Sequence, residues 1–269
     1  MESREQMSPF TIYNEGKHVY PVIISLPHSG TWIPAEMRKS LRKEAVLANT
    51  DWFLPELYRF FAAKGCTMIE NHVNRYVIDP NRESQMTGDD YQDTVVYQQN
   101  TFGNSLYSEP LASKRIKERL DSYYWPYHQT LQELIKEKRK LFSKVYLFDL
   151  HSFAEYPNDD QTAPADFVIG NQEDQTAGLD LRLGLTRALE AAGYSVSNNH
   201  PFCGGFITQH YGQQAGVEAL QLEIRYNQYI DQRSFGEEEL TDYDPELFLS
   251  AQTKLKNIFE TCLNEQLNH

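Results

Sequence analysis

The sequence predicts an α/β fold in which helices cover both faces of a mainly parallel sheet. Residues 19–26 and 145–150 are β-branched and almost continuously apolar, which is typical of strands buried on both faces. Segments with apolar residues at helical spacing alternate with such strands along the chain. This alternation favours a parallel sheet between two layers of helices.

The amino-terminal half carries its predicted elements in the following order. Gly65 should end a helix, because glycine adopts the left-handed backbone of a helix end at little cost. Asp79 and Pro80 favour a turn after the last strand of this half. Residues 84–108 are polar, and so long a segment is more typical of a functional loop than of a linker. The elements are a strand at 19–26, helices at 36–48 and 51–64, and strands at 67–69 and 74–78.

The carboxyl-terminal half begins with a long predicted helix, which Pro126 should kink because it lacks an N–H donor. Glycine and aromatic residues predict a loop at 201–212, and apolar residues at helical spacing predict a closing helix. The elements are a helix at 109–142, strands at 145–150 and 167–169, a helix at 176–192, strands at 194–197 and 217–226, and a helix at 245–266.

Composition narrows the class of protein. Hydrophobic residues make up 40% of the 269 residues and no linker is apparent, so we expect a single domain over residues 1–269. The net charge of −13 argues against nucleic acid or an anionic membrane as a partner, since both require clustered lysine and arginine. Three scattered cysteines and no apolar leader favour a reducing compartment, so we expect the cytoplasm.

Two histidines follow buried strands. His28 comes after residues 19–26 and His151 after residues 145–150, and ligands of open α/β sheets bind at the carboxyl ends of the strands. Neutral imidazole is the commonest protein ligand of zinc, so the pair and a carboxylate would form a metal site. Each histidine could instead be a loop residue bonded to nearby backbone.

A polar strand face marks Glu223. Gln221, Glu223 and Arg225 alternate along one face of the strand predicted at 217–226. An unpaired buried carboxylate is costly, so Glu223 should have a partner or a chemical role, unless the strand lies at a solvent-exposed edge of the sheet.

Arg75 and Arg82 flank another predicted strand end. Either arginine could bind a carboxylate or form a surface salt bridge. The signatures of serine hydrolases, HExxH metalloproteases and nucleotide-binding loops are absent from the sequence.

Several segments, taken together and in order, resemble the N-formylglutamate amidohydrolase family. They are Pro27-His28-Ser29-Gly30, Thr50-Asp51-Trp52, Asn74-Arg75, Asp79-Pro80-Asn81-Arg82, Tyr127-His128, Asp149-Leu150-His151-Ser152, Gly204-Gly205-Phe206-Ile207-Thr208, His210-Tyr211-Gly212 and Ala219-Leu220-Gln221-Leu222-Glu223-Ile224.

The resemblance implies a three-layer α/β/α fold with a mixed sheet, related to zinc carboxypeptidases and phosphorylase-hydrolase-like proteins. It implies hydrolysis of N-formyl-L-glutamate, a small anionic substrate, in histidine breakdown. By position, His28, Asp51 and His151 would hold one divalent metal, zinc foremost, and Glu223 would be the general acid and base.

We expect four further residues to bind the substrate: Arg75, Arg82, His210 and Arg225. Two alternatives to this activity stay open at this point. One is another N-acyl amino-acid hydrolase or carboxypeptidase-like enzyme with the same metal site. The other is a homologue that binds metal or ligand without turnover.

Overall fold

A single sheet organises the computed structural model, which describes residues 8–86, 88, 90–155, 163–231 and 242–265. Its seven strands lie in the order β1-β3-β2-β4-β7-β5-β6. Four neighbouring pairs are parallel, and β1 with β3 and β5 with β7 are antiparallel. The strands are β1 Phe10–Tyr13, β2 Val22–Leu26, β3 Thr67–Asn71, β4 Val145–Phe153, β5 Phe167–Gly170, β6 Val196–Asn198 and β7 Val217–Arg225.

Helices lie on both faces of this sheet. They are α1 Ala35–Ser40, α2 Leu54–Leu57, α3 Arg59–Lys64, α4 Ser113–Arg119, α5 Trp125–Arg139, α6 Leu179–Ala191, α7 Phe206–Gly212 and α8 Pro245–Glu265. Together with the mixed sheet they confirm the predicted α/β class and its three layers. Among the helices that the structure describes, none is both long enough and apolar enough to cross a bilayer.

Alternation along the central strands builds two cores. Val22 and Ile24 of β2 pack on one face with residues of α2, α3, α6 and α8. Ile23 of β2 and Leu147 of β4 pack on the other face with residues of α5 and α7. Every residue of β2 and β4 is buried, which is why residues 22–24 and 145–148 form apolar runs rather than alternating patterns. Nearer the carboxyl ends, the face under α5 and α7 becomes polar.

Several predicted elements differ from the structure. Residues 74–78 form a turn, because the Asn74 side chain accepts a hydrogen bond from the Tyr76 N–H at 2.9 Å and its carbonyl from the Val77 N–H at 2.8 Å. The helix predicted at 36–48 ends at Ser40. The loop predicted at 201–212 contains α7, and the edge strand β1 was not predicted.

The long helix predicted at 109–142 is interrupted. It begins at Ser113, and a π-helical turn over Leu120–Tyr124 separates α4 from α5. The interruption comes directly before Pro126, which cannot donate the backbone hydrogen bond that an α-helix requires.

A left-handed turn follows β5. Gln172, Glu173 and Asp174 have consecutive φ angles of 51°, 53° and 64°, although none is glycine. Gln172 donates from its backbone N–H to the Cys203 carbonyl at 2.9 Å and from Nε2 to the Gly204 carbonyl at 2.7 Å. The turn thereby fixes the loop that carries Cys203 and Gly204.

Candidate metal centre and active site

The register of the parallel strands gathers the polar residues on the face under α5 and α7. His151 of β4 lies beside Glu223 of β7, and Asp149 lies beside Gln221. Ser25 of β2 lies on the other side of Asp149. The strand predicted at 145–150 ends before His151, whereas β4 continues through His151 to Phe153. The polar site is therefore partly inside the sheet.

His28 and Asp51 complete a cluster with His151. His28 follows β2, and its carbonyl accepts a hydrogen bond from the Asp51 N–H at 3.1 Å, which brings Asp51 to the same end of the sheet. The ligand atoms of the three side chains lie within 4.8 Å of one another, and all three side chains are buried. Asp51 Oδ2 is 3.0 Å from His151 Nδ1 and 3.8 Å from His28 Nδ1.

The far nitrogen of each histidine meets its own carboxylate. His28 Nε2 lies 2.7 Å from Asp79 Oδ1, and His151 Nε2 lies 2.9 Å from Asp149 Oδ2. An ionised carboxylate only accepts, so each Nε2 carries a proton, and Nδ1 is the nitrogen of each histidine that faces Asp51. A metal that displaces the proton between His151 Nδ1 and Asp51 would meet two nitrogen donors and a carboxylate oxygen at one point. This donor set fits a divalent metal such as zinc, and the carboxylate partners are those that ligand histidines have in metal sites.

Charge balance within the cluster shifts the pKa of several groups. Burial alone would lower the pKa of His151, but the carboxylates of Asp149 and Asp51 outweigh it and hold the pKa well above its usual range. Burial alone would raise the pKa of Asp79, but His28 and Arg75 hold it well below the usual range. Asp79 is therefore ionised at neutral pH. In the absence of metal, His151 is protonated and lies between the carboxylates of Asp51 and Asp149.

Glu223 is buried beside this cluster. Burial raises its pKa to about 7, against the opposing charge of the neighbouring His151. Gln221 Nε2 donates to Glu223 Oε1 at 2.9 Å, which fixes the carboxyl group on its strand. A carboxyl group with a pKa near neutrality can both accept and return a proton, as a general acid and base must.

Two arginines lie beyond Asp79. Arg75 is tightly held, because Nη2 donates to Asp79 Oδ2 at 2.9 Å and Nη1 donates to the Asn49 carbonyl at 3.2 Å. The guanidinium carbons of Arg75 and Arg82 both lie 6.0 Å from the ring centroid of Tyr91. They form a cationic, aromatic wall suited to a carboxylate.

A cavity of about 1050 Å³ opens over the cluster. The metal-ligand candidates, Glu223 and both arginines line it, so the structure brings these sequence-predicted residues together. Its other linings are Asn49, Asp79, Asn81, Asp90, Tyr91, Gln92, Asp93, Gln99, Asn100, Thr101, Gly103, Ser152, Phe153, Ala154, Pro201, Phe202, Cys203, Gly204, Gly205, Gln221 and Tyr226.

His210 and Arg225, which the sequence analysis placed with the substrate, do not line this cavity. His210 is exposed on α7 and stacks on Phe206, with ring centroids 5.0 Å apart. Arg225 shares the strand face of Glu223, but its Nη2 lies 2.6 Å from Asp166 Oδ1 in an ion pair. Alternation along a strand identifies the face of a residue but not the partner that its long side chain reaches.

Asp79 and Asp149 were not among the residues predicted to act in the site. Both are fully buried, and each orients one histidine of the cluster. Their signal was present, since Asp149 precedes His151 by two residues on the same strand face and Asp79 stands in the turn before Arg82. The contact between Asp79 and His28 spans 51 residues, which sequence spacing does not reveal.

Comparison with known proteins identifies the family. A family model described as N-formylglutamate amidohydrolase matches residues 20–230. The chain belongs to this family. The matched range of the N-formylglutamate amidohydrolase model includes the three ligand candidates, Glu223 and both arginines of the cavity.

Relatives in the N-formylglutamate amidohydrolase family are similar over most of their length. The chain is 34% identical to an N-formylglutamate deformylase of Pseudomonas aeruginosa, over 80% of this chain and 84% of that protein. It is 32% identical to an N-formylglutamate deformylase of Pseudomonas putida, over 90% of this chain and 92% of that protein.

Solved structures share the fold. The crystal structure of an N-formylglutamate amidohydrolase from Ralstonia eutropha matches with a TM-score of 0.82 and 24% identity, covering 96% of this chain and 98% of that one. A gene product of Agrobacterium tumefaciens matches with a TM-score of 0.72 and 18% identity, covering 96% of each chain.

Proposed function

We propose that this protein is a metal-dependent amidohydrolase that cleaves N-formyl-L-glutamate to formate and L-glutamate. The observation that carries the proposal is the convergence of His28 Nδ1, Asp51 Oδ2 and His151 Nδ1 beside Glu223, in one cavity with two arginines. The names of the two Pseudomonas relatives support the substrate. We take residues 1–269 as one catalytic domain, acting in the cytoplasm as a step of histidine breakdown.

His28, Asp51 and His151 would hold one divalent ion, for which zinc is our first choice because two imidazoles and one carboxylate are a common catalytic zinc set. When bound, the ion would polarise the formyl carbonyl and lower the pKa of water. Asp79 and Asp149 hold Nε2 of each histidine, which leaves Nδ1 facing Asp51 as the nitrogen that would bind the ion.

Glu223 is the proposed general acid and base. It takes the proton of the attacking water and later delivers it to the departing amine nitrogen of glutamate. Burial next to Gln221 holds its carboxyl group in one orientation, so little rearrangement is needed for either transfer.

Arg82, with Arg75 behind it, is proposed to bind the substrate carboxylates. Guanidinium groups recognise carboxylates through two parallel hydrogen bonds, and the wall of the cavity excludes part of the solvent that would weaken them. A cationic wall inside an acidic protein would concentrate the attraction at the site, because the surface as a whole repels anions.

The experiment that tests the proposal combines metal analysis with an assay of formate release from N-formyl-L-glutamate. About one metal ion per chain, with formate release that a chelator abolishes and zinc restores, is the expected result. Release of the acyl group only from other N-acyl amino acids in a panel would refute the substrate. Absence of metal after reconstitution with zinc would refute the metal site.

A further inference from the structure

Asp79 contacts both the candidate metal ligand His28 and the arginine wall of the cavity. Its Oδ1 accepts from His28 Nε2 and from the Asn81 N–H, both at 2.7 Å. Its Oδ2 accepts from Arg75 Nη2 at 2.9 Å and from the Tyr97 hydroxyl. The side chain is fully buried, so no solvent competes for either oxygen. One carboxylate thus spans a metal-ligand candidate and the arginine wall.

Asp149 is the matched counterpart. It is also fully buried, and it accepts from His151 Nε2 as Asp79 does from His28. Its other oxygen accepts from the Ser25 hydroxyl at 2.7 Å. Within the described residues, no arginine or lysine forms an ion pair with Asp149. Each of the two carboxylates therefore accepts a hydrogen bond from a histidine Nε2, but of the two, Asp79 alone also accepts one from an arginine.

We propose that Asp79 is a positioning residue that fixes a metal ligand and Arg75 of the arginine wall at once, so that loss of this carboxylate weakens both metal retention and carboxylate binding. Since Oδ1 and Oδ2 belong to one rigid group, the orientation that suits His28 is also the one that holds Arg75. Arg75 in turn lies as close as Arg82 to the Tyr91 ring. The proposal rests on the proposed function of the same site.

The test compares Asp79→Asn with Asp149→Asn. Zinc affinity is measured by competition with a chromophoric chelator, and L-glutamate affinity by calorimetry at saturating zinc. Each variant should weaken zinc binding by about 10- to 100-fold, the usual effect of removing such a carboxylate partner. Asp79→Asn should in addition weaken glutamate binding by about tenfold or more, whereas Asp149→Asn should leave it within about twofold.

A gentler pair of variants covers the case in which Asp79→Asn does not fold. Tyr97→Phe and Ser25→Ala each remove one hydroxyl that donates to one of the two carboxylates, and the Tyr97 hydroxyl also accepts from Arg75 Nη2 at 3.4 Å. Tyr97→Phe should weaken zinc and glutamate binding by several-fold, while Ser25→Ala should weaken zinc binding alone.

Three outcomes would overturn the inference. One is normal glutamate binding by zinc-loaded Asp79→Asn, or by Tyr97→Phe if the first variant does not fold. Another is unchanged zinc affinity in the same variant, and the third is an equal loss of glutamate binding in the Asp149 or Ser25 variant. Failure of the proposed function would differ from all three, because wild-type protein would then release no formate from N-formyl-L-glutamate and would not bind glutamate.

Discussion

Acid should destabilise this protein through His128, which lies in the core under the turn that carries Asp79 and Arg82. Its Nε2 donates to the Pro80 carbonyl at 2.9 Å, and Nδ1 lies 3.0 Å from the Tyr211 hydroxyl. Burial lowers the pKa of His128 from 6.5 to about 4, although the bond to Pro80 acts in the opposite direction. The folded state therefore holds this imidazole neutral over a pH range in which the unfolded chain protonates it.

The sign and size of the effect follow from these two values. Above pH 6.5 both states are neutral and His128 contributes no pH dependence; below it the unfolded state binds more protons, so stability falls. The pKa difference of about 2.5 units corresponds to about 3 kcal/mol once the pH lies below the folded pKa. At pH 5 the loss is about 2 kcal/mol.

The assay is urea unfolding of wild type and His128→Gln at about pH 7.5 and pH 5, with chelator present so that metal binding contributes nothing. Glutamine can still donate to the Pro80 carbonyl but does not titrate. The free energy of unfolding of wild type, relative to the variant, should fall by about 2 kcal/mol between the two pH values. A relative stability that stays constant to within about 0.5 kcal/mol would refute the reasoning.

Three predictions concern the active site. Glu223→Gln should lower turnover by about 10²- to 10⁴-fold while metal content stays near that of wild type, and near-native turnover would remove Glu223 from the mechanism. Arg82→Lys should raise KM for N-formyl-L-glutamate, because lysine cannot form the two-pronged contact, whereas Arg225→Lys should change it little; steady-state kinetics of both variants decides this. Zinc affinity should fall as the pH is lowered through neutrality, and the fall should begin above pH 7 because the pKa of His151 is raised and protons compete for this ligand; a pH-independent affinity in chelator competition at several pH values would contradict this.

The sequence predicted the central fold because the central strands obey simple patterns. Every residue of β2 and β4 is buried, so both strands begin with apolar runs, which are easy to recognise in the sequence. The same patterns wrongly predicted a strand at 74–78, where the structure has a turn. The Asn74 side chain accepts a hydrogen bond from the Tyr76 N–H, which in a strand would bond to a neighbouring strand. The short helix α7 follows two glycines and so has the composition of a loop.

For the candidate site, too, some residues were predicted from the sequence and others were not. The ends of buried strands predicted His28 and His151, the family resemblance added Asp51, and the register of β4 and β7 explains why Glu223 accompanies them. The placement of Arg225 depended on a side-chain partner, Asp166, that lies 59 residues away in sequence. Partners of long side chains are fixed by tertiary packing, which strand alternation alone does not encode.

The left-handed turn over Gln172, Glu173 and Asp174 lowers the free energy of unfolding, because none of the three residues is glycine. Each non-glycine residue in this conformation costs about 1–2 kcal/mol, whereas a glycine there would cost about 0.5–1 kcal/mol through the greater freedom of the unfolded chain. Glu173 is exposed, and Gln172 carries the bonds to the Cys203 loop. Replacing only the middle residue by glycine would therefore raise thermal tolerance while the cavity wall keeps its anchor.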